Sequence, residues 1–325
     1  MQNLELIRSG LLGKKVFITG GTGFFGKSLL DFFKGNDINV EVTVLSRNPD
    51  KFISTYSELA QDVNFIKGDI IDIPKVRDKY DFIIHAAAMV TGGDCNNKEF
   101  SIVDEIITGT RNILEFANDS QASRILNISS GAVYGRQPED VEYFVEEYLG
   151  APDTSNPVSA YGEGKRVSEL LCAINKENTG LEYVNARCFS FVGKYLPLDS
   201  HFAIGNFIGN GLKNENLMIK GNGTPLRSYM YTDDLVVWLM TLLLLGSNGQ
   251  SYNVGSDKSY SIKEVAHYVS QFFPNSNVII EHEAEVGLSA TRYIPSVEKC
   301  KNQLGLNIEF NLIDSIRKTV EYLKE

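Results

Sequence analysis

Short apolar runs recur along the chain, and the segments between them repeat apolar residues at every third or fourth position. The runs have the length and composition of strands. They span Lys15 to Thr19, Val40 to Leu45, Val63 to Ile66, Phe82 to His85, Ile125 to Ile128 and Val184 to Cys188. Lys27 to Phe33 is the first of the segments with helical spacing. The alternation predicts an α/β fold, a Rossmann-type doubly wound parallel sheet covered by helices on both faces.

The pattern changes after Cys188, where glycine-rich and proline-containing loops become frequent. We predict that residues 1–187 form a dinucleotide-binding domain and that residues 188–325 mainly form a smaller C-terminal substrate-binding lobe. Residues 251–256 are an exception, because the apolar run Ser251 to Val254 predicts a strand that returns to the main sheet.

The most apolar stretch, Leu235 to Leu245, has about half of the roughly 20 residues that a membrane span needs. Asp233 and Asp234 precede it as capping residues, so we predict a buried helix. The N-terminus lacks the continuous apolar core of a signal peptide. These features predict a cytoplasmic protein that makes no membrane contact.

Charge and composition exclude several functions. The 325-residue chain has a formal net charge of -10, which disfavours nucleic acid as a partner, although local arginines could still bind an anionic substrate. Its four cysteines lack Cys-x-x-Cys spacing, so neither a zinc site nor a disulfide framework is predicted, and reduced thiols suit the cytoplasm. Its four histidines lack paired spacing, so no metal site is expected.

A glycine-rich turn follows the first predicted strand and opens the first predicted helix. Gly20, Gly21, Gly23 and Gly26 satisfy the Gly-x-Gly-x-x-Gly pattern in this position. Glycine allows the tight turn and lets backbone N–H groups approach a pyrophosphate at the positive end of the helix. The turn therefore predicts a dinucleotide cofactor.

The ends of the next strands indicate which dinucleotide it is. Arg47 follows the second strand, where a free ribose hydroxyl would favour an acidic residue, so NADP is preferred and NAD stays open. Asp69 follows the third strand and suits either an adenine contact or a plain turn. Ala86, Ala87 and Ala88 leave room for a ring across the strand ends, whereas His85 is expected to be a packed, hydrogen-bonded residue.

Tyr161 and Lys165 stand four residues apart, on one face of a predicted helix. An ammonium group beside a phenol favours the ionised phenol and prepares it for acid–base catalysis. The segment Ser129 to Gly135 follows the fifth strand and could supply a hydroxyl for the substrate oxygen. No Gly-x-Ser-x-Gly elbow is present, which disfavours a serine hydrolase.

Two arginines in the C-terminal lobe are candidates for binding a diphosphate. Arg227 and Arg292 could each meet two phosphate oxygens with one guanidinium group. Either arginine could equally be structural.

Taken together, these motifs resemble the extended short-chain dehydrogenase/reductase family, in the branch that acts on nucleotide-activated sugars. The resemblance covers nearly the whole chain. It rests on Thr19 to Gly26, His85 to Ala87, Gly109 to Asn112, Ser129 to Gly135, Asn156-Pro157 with Tyr161 and Lys165, Arg187 to Gly193, and Arg227 to Asp234.

The resemblance implies that Tyr161 is the general acid or base, that Lys165 lowers its pKa and holds the nicotinamide ribose, and that Ser130 orients the reacting oxygen. It implies a nucleoside-diphosphate sugar as substrate and a homodimer formed through the helix that carries Tyr161. The expected cofactor contacts are Gly20, Thr22, Gly23, Phe24, Phe25, Gly26, Arg47, Asp69, Ile70, Ala86, Ala87, Ala88, Tyr161 and Lys165. The expected substrate contacts are Ser130, Ser190, Asn206, Arg227 and Arg292.

Two departures from the family pattern narrow the reaction. Sugar 4,6-dehydratases of the family carry Thr-Asp-Glu where this chain has Ser130-Gly131-Ala132, so the acids that would expel water are missing. Ser190 stands where relatives often carry Asn, which puts the phosphate contact there in doubt.

The leading hypothesis is an NADPH-dependent ketoreductase that delivers hydride to the 4-keto group of a nucleoside-diphosphate sugar. An epimerase or dehydrogenase that acts at C4 and retains NAD is the alternative, and a 4,6-dehydratase is disfavoured. A non-catalytic sensor that binds the cofactor is a remote alternative.

Overall fold

Seven parallel strands form the main sheet in the computed structural model, which describes residues 2–87, 98–200, 202–282 and 290–325. Their order across the sheet is β11-β6-β5-β4-β1-β2-β3. The strands are β1 Lys14–Thr19, β2 Val40–Ser46, β3 Val63–Lys67, β4 Phe82–His85, β5 Arg124–Ser130, β6 Glu182–Cys188, β7 Phe191–Val192, β8 Leu217–Ile219, β9 Leu226–Ser228, β10 Met230–Tyr231, β11 Gln250–Val254, β12 Ser259–Ser261, β13 Val278–Ile280 and β14 Arg292–Tyr293.

Helices cover both faces of this sheet and build the C-terminal region. They are α1 Gln2–Leu11, α2 Phe24–Gly35, α3 Pro49–Thr55, α4 Ser57–Ala60, α5 Lys98–Asp119, α6 Ala160–Thr179, α7 Ala203–Leu212, α8 Thr232–Leu245, α9 Ile262–Ser270, α10 Glu298–Leu304 and α11 Leu312–Lys324. The predicted Rossmann-type α/β fold is thereby confirmed.

All six strands predicted between Lys15 and Cys188 are present, and most are longer than their apolar runs. The strand predicted from Ile125 begins at Arg124, and the strand predicted from Val184 begins at Glu182. Arg124 and Glu182 face each other across β5 and β6 and form an ion pair. The apolar pattern does not include Arg124 and Glu182, because a charged cross-strand pair can extend two paired strands without adding apolar surface.

The predicted returning strand is confirmed, because β11 pairs in parallel with β6 at the edge of the main sheet. The apolar stretch around Leu235 forms α8, which lies beneath the sheet and is buried along most of its length. Its Trp238 is fully buried, and the indole N–H donates to Asn307 O at 3.1 Å. None of the helices in the described ranges has the length and apolar character needed to cross a membrane.

The C-terminal region has its own apolar cluster, in which α7, α9 and α11 pack together. Its short strands form three small sheets, ordered β10-β7, β12-β9-β14 and β13-β8. In the second of these, Tyr293 of β14 lies opposite Arg227 of β9. This small sheet faces the carboxyl edge of the main sheet, so both groups reach the same cavity.

Candidate active site

A cavity of about 1240 Å³ lies at the carboxyl ends of the main strands, where open α/β sheets bind their ligands. It is bounded on one side by the strand ends and the glycine turn, and on the other by α7, β9 and β14. The predicted residues that line it are Gly20, Thr22, Gly23, Phe24, Phe25, Arg47, Asp69, Ile70, Ala86, Ala87, Ser130, Tyr161, Lys165, Ser190 and Arg227. Residues far apart in the sequence therefore meet in one space.

The glycine turn leaves room beside the backbone only on its cavity side. Gly20 has a φ of +72°, and a Cβ atom there would lie 2.6 Å from the carbonyl carbon of Ala86. A Cβ on Gly26 would lie 2.2 Å from Gly21 Cα, so Gly26 serves close packing between the turn and α2. A Cβ on Gly23, the N-cap of α2, would meet only Gly20 O, at 3.3 Å. This cradle fits the pyrophosphate of a dinucleotide, which also gains from the helix dipole.

Arg47 and Asp69 line the cavity at the ends of β2 and β3. The Arg47 side chain is exposed and makes no hydrogen bond or ion pair within the described ranges. Asp69 Oδ1 accepts from the Ile71 N–H at 3.1 Å, so this carboxylate shapes a turn as well as facing the cavity. The two side chains place one cation and one anion at the same end of the cavity.

Lys165 and Tyr161 lie on one face of α6, against β5. Lys165 is 2% exposed, and its Nζ donates to Ile128 O at 2.7 Å. Burial lowers the pKa of Lys165 to about 8, because a charged amine is poorly solvated there. Burial raises the pKa of the Tyr161 phenol to about 12 although the neighbouring Ser130 acts to lower it, so the phenol holds its proton at neutral pH.

Ser130 lies beside two phenol groups at the end of β5. Its hydroxyl acts to lower the pKa of the Tyr161 phenol and that of the Tyr293 phenol, although burial raises both overall. Its Oγ also accepts from the Ala132 N–H at 3.1 Å, which fixes the serine at the start of a short 3-10 turn. A carbonyl oxygen near Ser130 and Tyr161 would meet two hydroxyl donors.

Aromatic rings fill the space above Gly131. Phe189 and Tyr293 have ring centroids 4.7 Å apart. A Cβ on Gly131 would lie 2.6 Å from Tyr293 Oη and 2.7 Å from Phe189 Cζ. The position where family dehydratases carry an aspartate is therefore closed to any side chain without repacking both rings.

Arg227 reaches the cavity from the C-terminal region. Its guanidinium donates to Leu226 O at 2.8 Å and is half-buried, and burial lowers its pKa. No carboxylate forms an ion pair with it in the part of the chain that the structure describes. A half-buried cation with only carbonyl partners has unused capacity for an anionic ligand.

Three predicted contacts do not line the cavity among the described residues, namely Gly26, Asn206 and Arg292. Of α7, Ala203 and Ile204 line the cavity, and Asn206, two residues further along the same helix, does not. Arg292 points away because neighbouring residues of a strand alternate between faces and Tyr293 takes the cavity face. Ala88 lies outside the described residues.

His85 is buried and hydrogen-bonded, as predicted. Its Nδ1 lies 2.9 Å from Thr19 Oγ1, and its Nε2 lies 3.3 Å from Thr110 Oγ1. Burial lowers the pKa of His85 to about 3, so the imidazole is neutral. Thr110 Oγ1 in turn lies 3.0 Å from Ser168 Oγ, one turn along α6 from Lys165. The imidazole thus joins β1 and α5 to the helix that carries the reactive pair.

Sequence reasoning missed several lining residues, among them Tyr293, Tyr229, Phe189 and Glu105. Tyr293 directly follows the predicted contact Arg292, and strand alternation would have offered either Arg292 or Tyr293 for the cavity face, not both.

The sequence model of the NAD dependent epimerase/dehydratase family matches residues 16–255. UDP-glucuronic acid decarboxylase 1 of Xenopus tropicalis is 29% identical over 318 residues, which cover 96% of this chain and 72% of that protein. UDP-glucuronic acid decarboxylase 6 of Arabidopsis thaliana is 28% identical over 308 residues, which cover 94% of this chain and 86% of that protein. An epimerase structure from Methanothermobacter thermautotrophicus superimposes with a TM-score of 0.83 at 22% identity, covering 100% and 96% of the two chains. The structure of a Thermotoga maritima UDP-glucose 4-epimerase superimposes with a TM-score of 0.81 at 20% sequence identity, covering 95% of this chain and 98% of that chain.

The fold and the site define an enzyme of the extended short-chain dehydrogenase/reductase type. The chain belongs to the NAD dependent epimerase/dehydratase family. The predicted family is thus confirmed. The coarser prediction, a nicotinamide-dependent enzyme of the group that modifies nucleotide sugars, agrees with this family and these relatives.

Proposed function

We propose that the enzyme reduces the 4-keto group of a nucleoside-diphosphate sugar, with NADPH as reductant and Tyr161 as general acid. The observation that carries this proposal is Arg47, an exposed cation at the cavity end of β2. A 2′-phosphate is the natural partner of an arginine in this position. Ser46 also lines the cavity there, whereas Asp50, the nearest acid along the chain, does not.

The residues around the turn would hold the cofactor. Backbone N–H groups near Gly23 and the start of α2 would bind the pyrophosphate, Asp69 would accept from the adenine amino group, and Lys165 would contact the nicotinamide ribose. When bound, NADPH supplies the hydride for C4. We propose no metal ion in the reaction.

The substrate would lie between Ser130 and Arg227, with Ser190 on the same wall of the cavity. The half-buried Arg227 guanidinium would pair with the diphosphate and recover the interactions that burial removes. The named relatives act on a UDP-linked sugar, which supports a nucleoside-diphosphate substrate.

Proton transfer follows from the positions of three side chains. Ser130 and Tyr161 donate hydrogen bonds to the carbonyl oxygen, and the Tyr161 proton passes to that oxygen as hydride reaches C4. The product is the C4 alcohol, and Tyr161 becomes a phenolate. The Lys165 ammonium, whose Nζ lies 6.0 Å from the Tyr161 ring centroid, stabilises this phenolate, and solvent restores the proton.

Dehydration between C5 and C6 needs a further acid and base. Gly131 and Ala132 supply neither, and the rings of Phe189 and Tyr293 occupy the space above Gly131. This packing supports reduction at C4 over 4,6-dehydration.

A C4 epimerase or dehydrogenase with retained NAD is the second candidate. The family to which the chain belongs is named as NAD dependent. Ser130, Tyr161 and Lys165 would serve either reaction. Cofactor use separates them, since a reductase consumes one NADPH per sugar and an epimerase consumes none.

We also propose a homodimer in the cytoplasm. Helices α5 and α6 pack side by side, and the large apolar side chains of Phe100, Leu170 and Ile174 are exposed on them. Cys172, Cys188 and Cys300 are free thiols, which suits a reducing compartment. Leu170→Lys with Ile174→Lys should give a monomer in sedimentation, whereas an unchanged sedimentation coefficient would contradict the proposed interface.

The test is to denature the purified protein and identify any released nicotinamide nucleotide by mass. Empty protein, or NADP alone, supports the reductase, and tightly held NAD supports the epimerase. Arg47→Asp should then lower the preference for NADPH over NADH by roughly 10- to 100-fold, since a charge-assisted contact is lost and a like charge is added. Lys51→Asp, on the exposed face of α3, is the matched control.

A further inference from the structure

Glu169 carries a buried carboxylate that the proposed reaction does not use. It lies on α6, one turn beyond Lys165, and its side chain is 12% exposed. Arg187 of β6 pairs with it, because Nη2 donates to Glu169 Oε2 at 2.7 Å and Nε donates to Oε1 at 3.0 Å. Ser129 Oγ of β5 also donates to Oε1, at 2.5 Å. The carboxylate is therefore held between two strands of the main sheet, beside the cavity that Ser129 lines.

The contacts of Lys165 bring its ammonium group close to this carboxylate. Residues four apart in a helix lie on one face, and Lys165 Nζ donates to Ile128 O, the strand residue just before Ser129. The two charged groups thus bind adjacent residues of β5. They form no direct ion pair in the part of the chain that the structure describes. The carboxylate therefore acts on the ammonium through the protein interior, where charges are poorly screened.

The groups around Lys165 differ in their charge near pH 8. The titratable and charged ones are Tyr161, Glu169 and Cys172 on α6, Arg187 and Cys188 on β6, His85 on β4, and Glu105, which lines the cavity from α5. Burial lowers the pKa of Lys165, whereas Cys188, Glu169 and Cys172 act to raise it. Burial also raises the pKa of Cys172 to about 12 and raises the pKa of Cys188, so both thiols are uncharged near pH 8. Of these three groups, Glu169 is the one that supplies a negative charge.

We propose that Glu169 is a positioning residue that acts through Lys165, as the counter-ion that keeps the buried amine charged beside Tyr161. The inference rests on the proposed function in one respect, because it needs a Tyr161 phenolate that the ammonium stabilises. Arg187 and Ser129 fix the carboxylate, so its charge stays at one distance from Lys165 throughout the reaction. Glu169 neither gives nor takes a proton, and no additional acid or base enters the balance.

The pH profile of kcat/KM tests this role, because its alkaline limb reports the charge of Lys165. Glu169→Gln removes the carboxylate charge and leaves Arg187 uncompensated, so the limb should move down by roughly 0.5 to 1.5 pH units. Arg187→Gln leaves the carboxylate unpaired and should move the limb up by about 0.5 to 1 unit. Damage to the fold alone would not produce shifts of opposite sign. Glu163→Gln is the matched control and should leave the limb in place, since Glu163 lies on α6 in a partly exposed pair with Arg166, at 3.5 Å.

The two charge-removing variants test the proposal separately, because loss of one partner of a buried ion pair can prevent folding. An unmoved limb in either variant that folds, or shifts of the same sign in both, would overturn the proposal. Glu169→Asp keeps the charge and should keep the limb in place whatever its kcat. A displacement by Glu169→Asp as large as that expected for Glu169→Gln would overturn the proposal as well.

Unfolding without substrate separates this role from the proposed function. The measured quantity is the part of the unfolding free energy that depends on Lys165, taken as the difference from the same protein carrying Lys165→Met. Its rise with pH should begin at a lower pH in Glu169→Gln, because the folded protein then loses the Lys165 proton earlier. If the unsubstituted enzyme reduces no 4-keto sugar nucleotide, the proposed function fails, whereas this measurement still reports on the counter-ion. A rise that begins at the same pH in Glu169→Gln and in Glu163→Gln would overturn the counter-ion role.

Discussion

The two sides of the cavity differ in how much their side chains are already satisfied. On the main-sheet side, Lys165 donates to Ile128 O, Ser130 Oγ accepts from the Ala132 N–H, and His85 connects neighbouring elements. On the C-terminal side, Arg227 is half-buried with carbonyl partners only. One side is organised before any ligand binds, and the other has unused binding capacity.

From this difference we expect the main-sheet side to determine the rate of the reaction and the C-terminal side to determine the affinity for the substrate. Fixed donors around a reacting carbonyl lower the barrier because they need no reorganisation during the reaction. A cation without a carboxylate partner gains most when a diphosphate arrives, so it contributes to binding. Variants on the main-sheet side should therefore change kcat, and variants on the C-terminal side should change KM.

The largest effect is expected at Tyr161. Tyr161→Phe should lower kcat by roughly 10²- to 10⁴-fold, because the proton donor is lost. Cofactor affinity, measured by fluorescence titration, should stay nearly unchanged because the ring remains. A fall in affinity equal to the fall in kcat would instead assign Tyr161 to binding.

A variant of Arg227 tests the C-terminal side of the cavity. Arg227→Gln should raise KM for the sugar nucleotide roughly 10- to 100-fold with a smaller change in kcat, since charge-assisted hydrogen bonds to the diphosphate are lost. Arg317→Gln is the control, because Arg317 lies on α11 and pairs with Asp314 at 2.8 Å. A decrease in kcat with an unchanged KM would contradict the assignment of substrate binding to the C-terminal side.

Two glycines of α2 sharpen the account of the turn. Gly26→Ala should lower the free energy of unfolding by about 1–3 kcal/mol and weaken cofactor binding, because its Cβ would overlap Gly21. A Cβ on Gly35 would have no neighbour within 4 Å, so Gly35→Ala should leave the free energy of unfolding unchanged or raise it by up to about 1 kcal/mol. Equal changes in urea midpoints for the two variants would show that the close packing is unimportant.

The pKa of Lys165, lowered to about 8, links activity and stability to pH with opposite signs. Above about pH 8 the folded protein loses the ammonium beside Tyr161, so kcat/KM should fall, approaching tenfold per pH unit. Between that pKa and the ordinary value of 10.5, the unfolded chain binds more protons than the folded chain. The Lys165 contribution to the free energy of unfolding therefore rises with pH in this window. Lys165→Met should remove that rise, and an identical pH dependence of unfolding in this variant would refute the assignment.

The smallest effect is expected where α2 meets the segment after β7. Lys194 Nζ lies 2.8 Å from Asp31 Oδ2, and both side chains are about a third exposed. Asp31→Asn should cost at most about 1 kcal/mol of unfolding free energy, and less at high salt. A large, salt-independent loss would mean that this pair holds the two sides of the cavity together.

The main-sheet side could be predicted because its signals are local. Apolar runs fix the strands, the strand ends then place Arg47 and Asp69, and the four-residue spacing of Tyr161 and Lys165 fixes a helical face. The returning strand β11 followed from the same pattern, whereas the order of strands across the sheet is known from the structure alone.

The C-terminal side depends on contacts between distant segments. Whether Arg292 or Tyr293 faces the cavity is decided by the pairing of β14 with β9, which sequence spacing does not contain. The packing of Phe189 and Tyr293 over Gly131 joins three separate parts of the chain. The missing aspartate at Gly131 could be noticed in the sequence, but not the rings that take its place.

The most direct test of the account incubates the enzyme with NADPH deuterated at the transferred position and a nucleoside-diphosphate 4-keto-6-deoxy sugar. We expect one NADPH to be consumed for each sugar and one deuterium at C4 of the product, located by mass spectrometry and NMR. Product formed without net NADPH consumption, or without deuterium at C4, would contradict NADPH-dependent 4-ketoreduction.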